Sequence, residues 1–515
     1  MTFLDASTSK VKKVKEYVAS CRGSRKLILF IVFIAIFLDN MLLTTVVPIV
    51  PNFILKLEQQ SEPKRNVTEI DIVCEDRTIL NDDQVIGFNI SDIQFTTKNP
   101  KECKSERNET AEKILKKEAK EEEYAEYGDA NVKAGIMFGS KALVQMLFNP
   151  FVGPITNRIG YTIPMFTGFV IMMTSTVIFA FGETYAVLFV ARAFQGIGSA
   201  CSSVAGMGML ACRYTDDDER GRAMGIALGG LALGVLIGPP FGGVMYQFAG
   251  KEAPFLILAA LALFDGALQM FVLQPTVQPE SQEGTSYITL LKDPYILIAA
   301  GSITFANMGI AMMEPSLPIW MNKVMGAEEW EQGLAFLPAS ISYLLGTNIF
   351  GPVASKIGRW LSTMLGMIVI SICLFATPFC RTTALLIAPM FGLGFSIGMV
   401  DASMMPHMGY LVDLRHVSVY GNVYAIADIA FAMGFAVGPM MSGTIVKAIG
   451  FSWMLWIIAI ASFIYTPLIV LLRNPPGKEE KMSLIMNEQC PVQYVTYNQT
   501  QTSNLVSEDE DGYYK

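Results

Sequence analysis

Seven ionisable side chains lie inside otherwise apolar stretches of this sequence. Each costs about 2.5–3.5 kcal/mol or more at the middle of a membrane helix unless it is paired or hydrated. The set contains two bases and five acids: Lys141, Arg192, Asp39, Asp265, Glu314, Asp401 and Asp428. The bases can pair with only two of the acids, so unpaired carboxylates remain. Such a surplus suits a cationic substrate and exchangeable protons.

Two of the carboxylates have neighbours that suit cation binding. Asp39 precedes Asn40, so a carboxylate that attracts an ammonium stands beside an amide that can hydrogen-bond a hydroxyl. Glu314 precedes Pro315, and Pro318 lies one turn further on. Prolines at these positions predict a broken helix with free carbonyl oxygens beside the carboxylate.

The other acids favour proton exchange or ion pairing. Asn307 lies seven residues before Glu314, which places both on one helix face. Asp401 follows the glycine-rich run FGLGFSIGMV, and burial there favours the protonated acid, as a proton carrier requires. Asp265 has a plainer interpretation as a counter-ion for Arg192.

The composition indicates which elements hold these side chains. Of the 515 residues, 52% are hydrophobic and only 16% are charged, against about 25% charged in soluble domains. The apolar residues fall in long runs, which excludes an ordinary soluble enzyme. The net charge of −8 with no basic stripe argues against nucleic acid as a partner. No metal cluster or phosphate loop occurs, so we expect neither a metal nor a cofactor.

Twelve apolar runs are long enough to cross a bilayer as helices. They are residues 27–50, 133–152, 162–182, 184–211, 223–247, 253–274, 294–322, 331–354, 361–380, 383–412, 419–447 and 451–473. The predicted fold class is therefore an all-α membrane protein with 12 transmembrane helices. An even number places both termini on one side, and the basic tail 1–26 assigns that side to the cytosol. The polar loop 55–131 then faces away from the cytosol.

An internal duplication divides the chain into two halves of six helices. GPITNRIGY at 153–161 returns as GPVASKIGR at 351–359, and a glycine-rich run at 234–250 returns at 434–450. Such a repeat is typical of transporters whose halves rock about a midplane site. The predicted units are a tail 1–26, a half 27–274, a cytosolic linker 275–293, a half 294–473 and a tail 474–515.

These segments resemble the major facilitator superfamily. The run 153–160 is similar to its signature between helices 2 and 3, and the run 234–243 to the signature of its proton antiporters. Longer strings, such as LDNMLLTTVVPIVP, ARAFQGIG and FLPASISYLLGTNIFG, are similar to the vesicular amine transporters, above all to their monoamine branch. The resemblance covers residues 24–54 and 133–486.

The resemblance implies a proton-coupled antiporter that loads cytosolic monoamines into acidic synaptic or secretory vesicles. Its implied partners are monoamines, protons, membrane lipid and sorting adaptors, and the chain is expected to act as a monomer driven by the proton gradient. A vesicular acetylcholine transporter and a multidrug/proton antiporter of the same fold are alternatives. A ligand-sensing receptor on a transporter fold is an alternative from another class.

The resemblance also assigns roles to the charged residues. It places Asp39, Glu314 and Asp401 in the amine site and the proton path. It pairs Lys141 with Asp428 between helices 2 and 11 and makes Arg192 essential.

Further positions receive roles in the same way. The implied pocket aromatics are Phe138, Phe336, Tyr343, Phe431 and Phe435, although ordinary core packing is the favoured interpretation of any single one. Trp320 would close the lumenal end, and His416 would assist coupling or be an ordinary solvated loop histidine. Leu484 and Ile485 follow acidic residues and resemble a dileucine sorting signal.

The cysteines of the loop 55–131 form a predicted pair. The family pattern joins this loop to the one after helix 7, but the matching position here is Gly326. Cys74 and Cys103 are the two cysteines of the loop. We therefore expect a Cys74–Cys103 disulfide on the oxidising side of the membrane.

The loop also carries three glycosylation sequons, at Asn66, Asn89 and Asn108. We expect a glycan on at least one of them, because the basic N-terminus keeps this loop out of the cytosol. Enzymatic deglycosylation should increase the mobility of the wild-type chain on a gel. A triple Asn→Gln variant that still shifted on enzyme treatment would contradict this topology.

Overall fold

The computed structural model of the chain describes residues 24–46, 136–137, 139–273, 284–327 and 329–477. These residues are almost entirely helical, and no strand occurs among them. Eleven of their helices are long and apolar enough to cross a membrane, and residues 139–159 form a further long helix. The all-α membrane fold is therefore confirmed.

Several predicted features lie outside the described residues. They are the three sequons, the Cys74–Cys103 pair, Phe138 and the sorting motif at Leu484 and Ile485. They stay predictions. Among the described residues, Cys201, Cys212, Cys373 and Cys380 are free thiols.

Each predicted segment corresponds to one long helix. These helices are α1 (Arg25–Thr45), α2 (139–159), α3 (Thr162–Phe181), α4 (Tyr185–Arg213), α5 (Asp217–Ala249), α6 (Glu252–Val272), α7 (Pro294–Met325), α8 (Leu337–Ile357), α9 (Arg359–Ala376), α10 (Thr383–Arg415), α11 (Gly421–Ile449) and α12 (Phe451–Tyr465). A 3₁₀ turn, Thr466–Arg473, extends α12. Two short helices precede α7 and α8: the linker helix Tyr287–Leu291 and Glu329–Leu334.

Helix α5 begins six residues before the predicted start at residue 223. The side chain of Asp216 accepts a hydrogen bond from the backbone N–H of Glu219 at 3.0 Å and so caps the helix. Asp217, Asp218 and Glu219 then place negative charge in the first turn, where the helix dipole favours it. A prediction from apolar periodicity alone cannot find this start, because the first turn of the helix is polar.

The predicted break in helix 7 is wrong. Helix α7 runs without interruption through Pro315 and Pro318, although each proline lacks the N–H that would bond the carbonyl one turn earlier. Two hydroxyl groups bond a carbonyl oxygen nearby, although not one of the two that the prolines leave free. Ser316 and Ser442 of α11 both donate to the carbonyl oxygen of Met312, each at 2.7 Å.

The duplication is visible in both packing and backbone. Helix α1 packs on α5 as α7 packs on α11, and α3 packs on α6 as α9 packs on α12. The backbone φ is +85° at Gly160 and +97° at Gly358, 198 residues later. It is +83° at Gly250 and +92° at Gly450, 200 residues later. The two halves therefore share the same pattern of helix packing and the same turn conformations.

The halves meet at the end of the molecule where the odd-numbered helices begin, here called the closed end. Arg220 of α5 donates to Asp413 of α10 at 2.7 Å, and Arg359 of α9 donates to Asp217 of α5 at 2.9 Å. Helix α5 also packs closely on α8 through Gly221. Ion pairs and close helix contact together join the halves at this end.

Gly450 offers a test of the duplicated turn. Its φ of 92° and ψ of 163° lie in a region that only glycine adopts readily, and nothing lies within 4 Å of a Cβ added there. Gly450→Ala should therefore cost about 1–3 kcal/mol through backbone strain alone.

The measurement is the thermal unfolding midpoint of the purified chain in detergent. Gly443→Ala is the matched control, because Gly443 is helical and equally uncrowded. An equal midpoint for the two variants would show that the turn at Gly450 carries no strain.

Candidate functional site

Asp39 of α1 lies within the first half, in contact with a cation and a hydroxyl. Both of its carboxylate oxygens lie 3.1 Å from Nζ of Lys141 on α2. Ser199 of α4 also donates to Oδ1 of Asp39. Asp39 and Lys141 are both at least nine-tenths buried, so this ion pair is an internal one.

Asp428 of α11 receives its hydrogen bonds from the opposite half. Gln145 and Asn149 of α2 donate to Oδ2 at 2.8 and 2.7 Å, and Ser203 of α4 donates to Oδ1 at 2.6 Å. All of these donors are neutral. Asp428 therefore joins the halves through polar contacts without an ion pair.

The structure thus differs from the predicted Lys141–Asp428 pair. Lys141, Gln145 and Asn149 follow each other at four-residue spacing on one face of α2. The amide pair occupies Asp428, and Lys141, one turn from Gln145, reaches Asp39 instead. The ion pair therefore forms within the first half and not between halves.

Asp401 of α10 has partners from its own half only. Asn307 of α7 donates to Oδ1 at 3.0 Å, and the hydroxyl of Tyr343 on α8 donates to Oδ2 at 3.1 Å. Asp401 is fully buried. The predicted residues Asn307, Tyr343 and Asp401 therefore form one cluster.

Glu314 has a different environment. Its side chain is exposed to solvent, yet it lies near enough to the buried Arg192 of the other half to interact with it, so it faces the interior between the halves. Arg192 of α4 lies near enough to interact electrostatically with both Asp39 and Glu314. The guanidinium also donates to the carbonyl oxygen of Leu43 at 2.9 Å and to Gln195.

Asp265 is not the counter-ion of Arg192. The acids that act on Arg192 are Asp39 and Glu314, whereas Asp265 accepts a hydrogen bond from Gln269 at 2.7 Å. Both residues lie on α6, one turn apart. The predicted pair fails because Gln269 takes the partner position along the same helix.

The remaining candidates make packing contacts, and their predicted roles in substrate binding stay predictions. Asn40 donates to the carbonyl oxygen of Ile36 at 2.8 Å, within its own helix. Phe431 and Phe435 lie side by side on α11 with ring centres 5.2 Å apart, and Phe336 packs against the main core. Trp320 stacks on Phe451 of α12 with ring centres 4.8 Å apart, and its role at the lumenal end stays a prediction.

His416 belongs to an ionic cluster at the closed end. His416 and Arg415 lie 2.8 and 2.7 Å from Oδ2 of Asp293, the residue that caps α7. Burial opposes ionisation of Asp293, but hydrogen bonds from His416, Arg415 and the backbone of Tyr295 hold its pKa at about 2.

The lowered pKa of Asp293 sets the pH range over which its contacts stabilise the fold. An unperturbed aspartate has a pKa of about 3.9, so the stabilisation is complete above that value and is lost only as pH falls toward the lowered pKa. Asp293 therefore stays charged well below neutral pH. The solvated interpretation of His416 is wrong, because its ring is held by Asp293.

Sequence reasoning missed the neutral donors. Gln145 and Asn149 continue a polar face from Lys141 on α2, and Ser199 and Ser203 continue one on α4. Four-residue polar spacing inside apolar helices was the available signal. The inter-half pairs of Arg220 and Arg359 lie at helix ends, where charge is ordinary, and so carried no signal.

This arrangement suits cation and proton exchange. Asp39, Asp401 and Asp428 are buried, and the hydrogen-bond donors to Asp401 and Asp428 are neutral. Each of these two acids can accept a proton or attract an ammonium. No group of acidic, histidine and cysteine side chains suited to a metal occurs among the described residues.

The Lys141–Asp39 pair can be tested against the predicted alternative. Lys141→Met keeps the length of the side chain but leaves Asp39 without its cation, and we expect a loss of about 3–5 kcal/mol in stability. Adding Asp39→Asn should recover most of that loss, because it removes the unpaired charge.

The control is Lys141→Met combined with Asp428→Asn, compared by thermal unfolding in detergent. Recovery of stability in this variant, and not in the variant with Asp39→Asn, would assign Lys141 to Asp428.

Comparison with known proteins agrees with this geometry. The family model described as Major Facilitator Superfamily matches residues 29–424. The chain is 55% identical over 501 residues to the synaptic vesicular amine transporter of Rattus norvegicus, covering 95% of this chain and 96% of that one. It is 53% identical to the chromaffin granule amine transporter of Homo sapiens, with coverage of 95% and 96%.

Two further comparisons define the limits of the likeness. Identity to the vesicular acetylcholine transporter of Rattus norvegicus is 38%, over 91% of this chain and 87% of that one. The crystal structure of the human organic anion transporter MFSD10 (TETRAN) superposes with a TM-score of 0.65 at 12% identity, covering 87% and 99% of the chains. That structure shares the fold alone. From its sequence relatives, the chain belongs to the vesicular amine transporter family of the major facilitator superfamily.

Proposed function

We propose that this protein is an antiporter that loads cytosolic monoamines into acidic vesicles in exchange for protons. Relatives named as synaptic vesicular and chromaffin granule amine transporters are 55% and 53% identical over nearly the whole chain, whereas the vesicular acetylcholine transporter is 38% identical. The monoamine reading is therefore favoured over the acetylcholine one. The substrates are dopamine, serotonin, noradrenaline, histamine or related amines.

The observation that carries the proposal is a pair of buried acids whose hydrogen-bond donors, within the part of the chain that the structure describes, are all neutral. Asp401 and Asp428 receive hydrogen bonds from amides and hydroxyls, which stabilise a negative charge without cancelling it. A proton or an ammonium can cancel it. Proton and amine then compete for negative charge in one space, and that competition is the coupling.

The two ends of the molecule suggest a direction of transport. With both termini in the cytosol, the closed end is the cytosolic one, and the space that Glu314 faces opens toward the lumen. In this state, protons from the acidic lumen reach the carboxylates and displace the amine. In the opposite state, Asp39 and Glu314 receive the ammonium from the cytosol. Asp39 shares its charge with Lys141, so the amine has to compete with that side chain.

The cellular setting belongs to the same proposal. The protein resides in the membrane of synaptic or secretory vesicles, with both termini in the cytosol. Leu484 and Ile485 in the tail recruit sorting adaptors. The protein works as a monomer with no bound cofactor, and the pH gradient is its energy source.

The central experiment is amine uptake by sealed liposomes that contain the purified chain and hold an acidic interior. Asp401→Asn mimics a permanently protonated acid, so it should abolish gradient-driven serotonin uptake while it retains inhibitor binding. Asp39→Asn should instead weaken amine recognition. Full uptake by the Asp401→Asn variant would move the proton role to Glu314 or Asp428.

The same preparation separates the competing functions. Competition by acetylcholine and not by serotonin would favour the acetylcholine transporter. Binding without accumulation in the wild-type chain would favour a receptor. Location at the plasma membrane would favour a multidrug antiporter.

A further inference from the structure

The segment Gly284–Tyr287, which leads into the linker helix, lies between the two halves at the closed end. A Cβ added at Gly284 would come within 2.9 Å of Val419 and 3.0 Å of Asn157. Val419 precedes α11 in the second half, and Asn157 lies near the end of α2 in the first. The backbone at Gly284 is therefore confined by both halves at once.

Thr285 attaches this segment to the second half. Its hydroxyl oxygen accepts a hydrogen bond from the backbone N–H of Val417 at 3.3 Å. Its carbonyl oxygen accepts another from the side-chain amide of Asn422 on α11 at 2.8 Å. Both contacts belong to the second half, so the segment moves with that half.

Tyr287 packs where side chains of both halves meet. It lies against the main core and against a small buried cluster formed by Val152 of α2, Ala200 and Val204 of α4, and Ala425 of α11. Three of these four side chains belong to the first half. Separation of the halves at this end therefore removes Tyr287 from apolar surface and exposes that surface to water.

We propose that Tyr287, held in place by Thr285, is a wedge that stabilises the closed end and has to leave the cluster before that end can open. The segment that connects the two halves therefore takes part in the conformational cycle, because Tyr287 has to move when the closed end opens. Its link to transport rests on the proposed antiport function, but its effect on the closed end does not.

The test uses a thiol introduced by Val152→Cys as a reporter, since Val152 is 2% exposed in the closed end. The full chain is placed in lipid nanodiscs, a small maleimide is added, and alkylation at position 152 is followed by peptide mass spectrometry. Native Cys373, which is buried in the second half, reports general unfolding.

Tyr287→Ala should accelerate alkylation at position 152 about tenfold, equivalent to about 1.4 kcal/mol lost from the closed state. Cys373 should react at its original rate. Tyr287→Phe is the matched control and should behave as the parent chain, because the ring fills the cluster. A rate for Tyr287→Ala within about twofold of the parent would overturn the proposal.

If Tyr287→Ala also exposes Cys373, the milder variant Thr285→Val decides. It keeps the shape of the side chain and removes the hydroxyl acceptor, so alkylation should increase at position 152 alone, and Thr285→Ser should restore the parent rate. No increase with Thr285→Val would reject the wedge. Failure of the parent chain to take up amine would reject the antiport function and leave the alkylation result standing.

Discussion

Asp428 imposes the constraint on which the arrangement of the halves depends. A carboxylate buried among apolar helices is stable only while donors reach it, and Gln145, Asn149 and Ser203 all belong to the opposite half. Motion that separates α11 from α2 and α4 takes these donors away. The carboxylate must then gain a proton or a cation, or remain at a high free energy. Opening the molecule and compensating this charge are therefore linked physically.

The other two buried acids are not constrained in that way. Asp401 keeps Asn307 and Tyr343 in any rigid-body motion, because all three belong to the second half. Asp39 keeps Lys141 within the first half. For these acids, the conformational cycle leaves the hydrogen-bond donors unchanged. It changes which side of the membrane supplies protons or amine. The protein thus combines two kinds of carboxylate. Asp428 loses its donors when the halves separate, whereas Asp39 and Asp401 respond only to the side of the membrane from which protons and amine arrive.

The sequence predicted the helices and most of the buried charges, but not their pairing. A charged residue in an apolar run can be recognised from the sequence alone, so Asp39, Lys141, Asp401 and Asp428 were all found. Lys141 lies near enough to interact with both Asp39 and Asp428, and only the rotation of α2 decides between them. The break expected at Pro315 also failed, since α7 continues through both of its inner prolines. The contacts of the linker segment depend on tertiary packing alone.

Two kinds of contact hold the closed end, and their energies differ. Asp217 in the pair with Arg359 is 47% exposed, and ion pairs open to water contribute about 0–1 kcal/mol. The cluster of Val152, Val204 and Ala425 excludes water, so its burial contributes about 25 cal/mol per Å² of apolar surface. The exposed pair therefore contributes little to closing, whereas the Arg220–Asp413 pair, with side chains 3% and 30% exposed, and the apolar cluster are both shielded from water. A small change in that apolar surface shifts the balance between the two states more than the loss of an exposed ion pair.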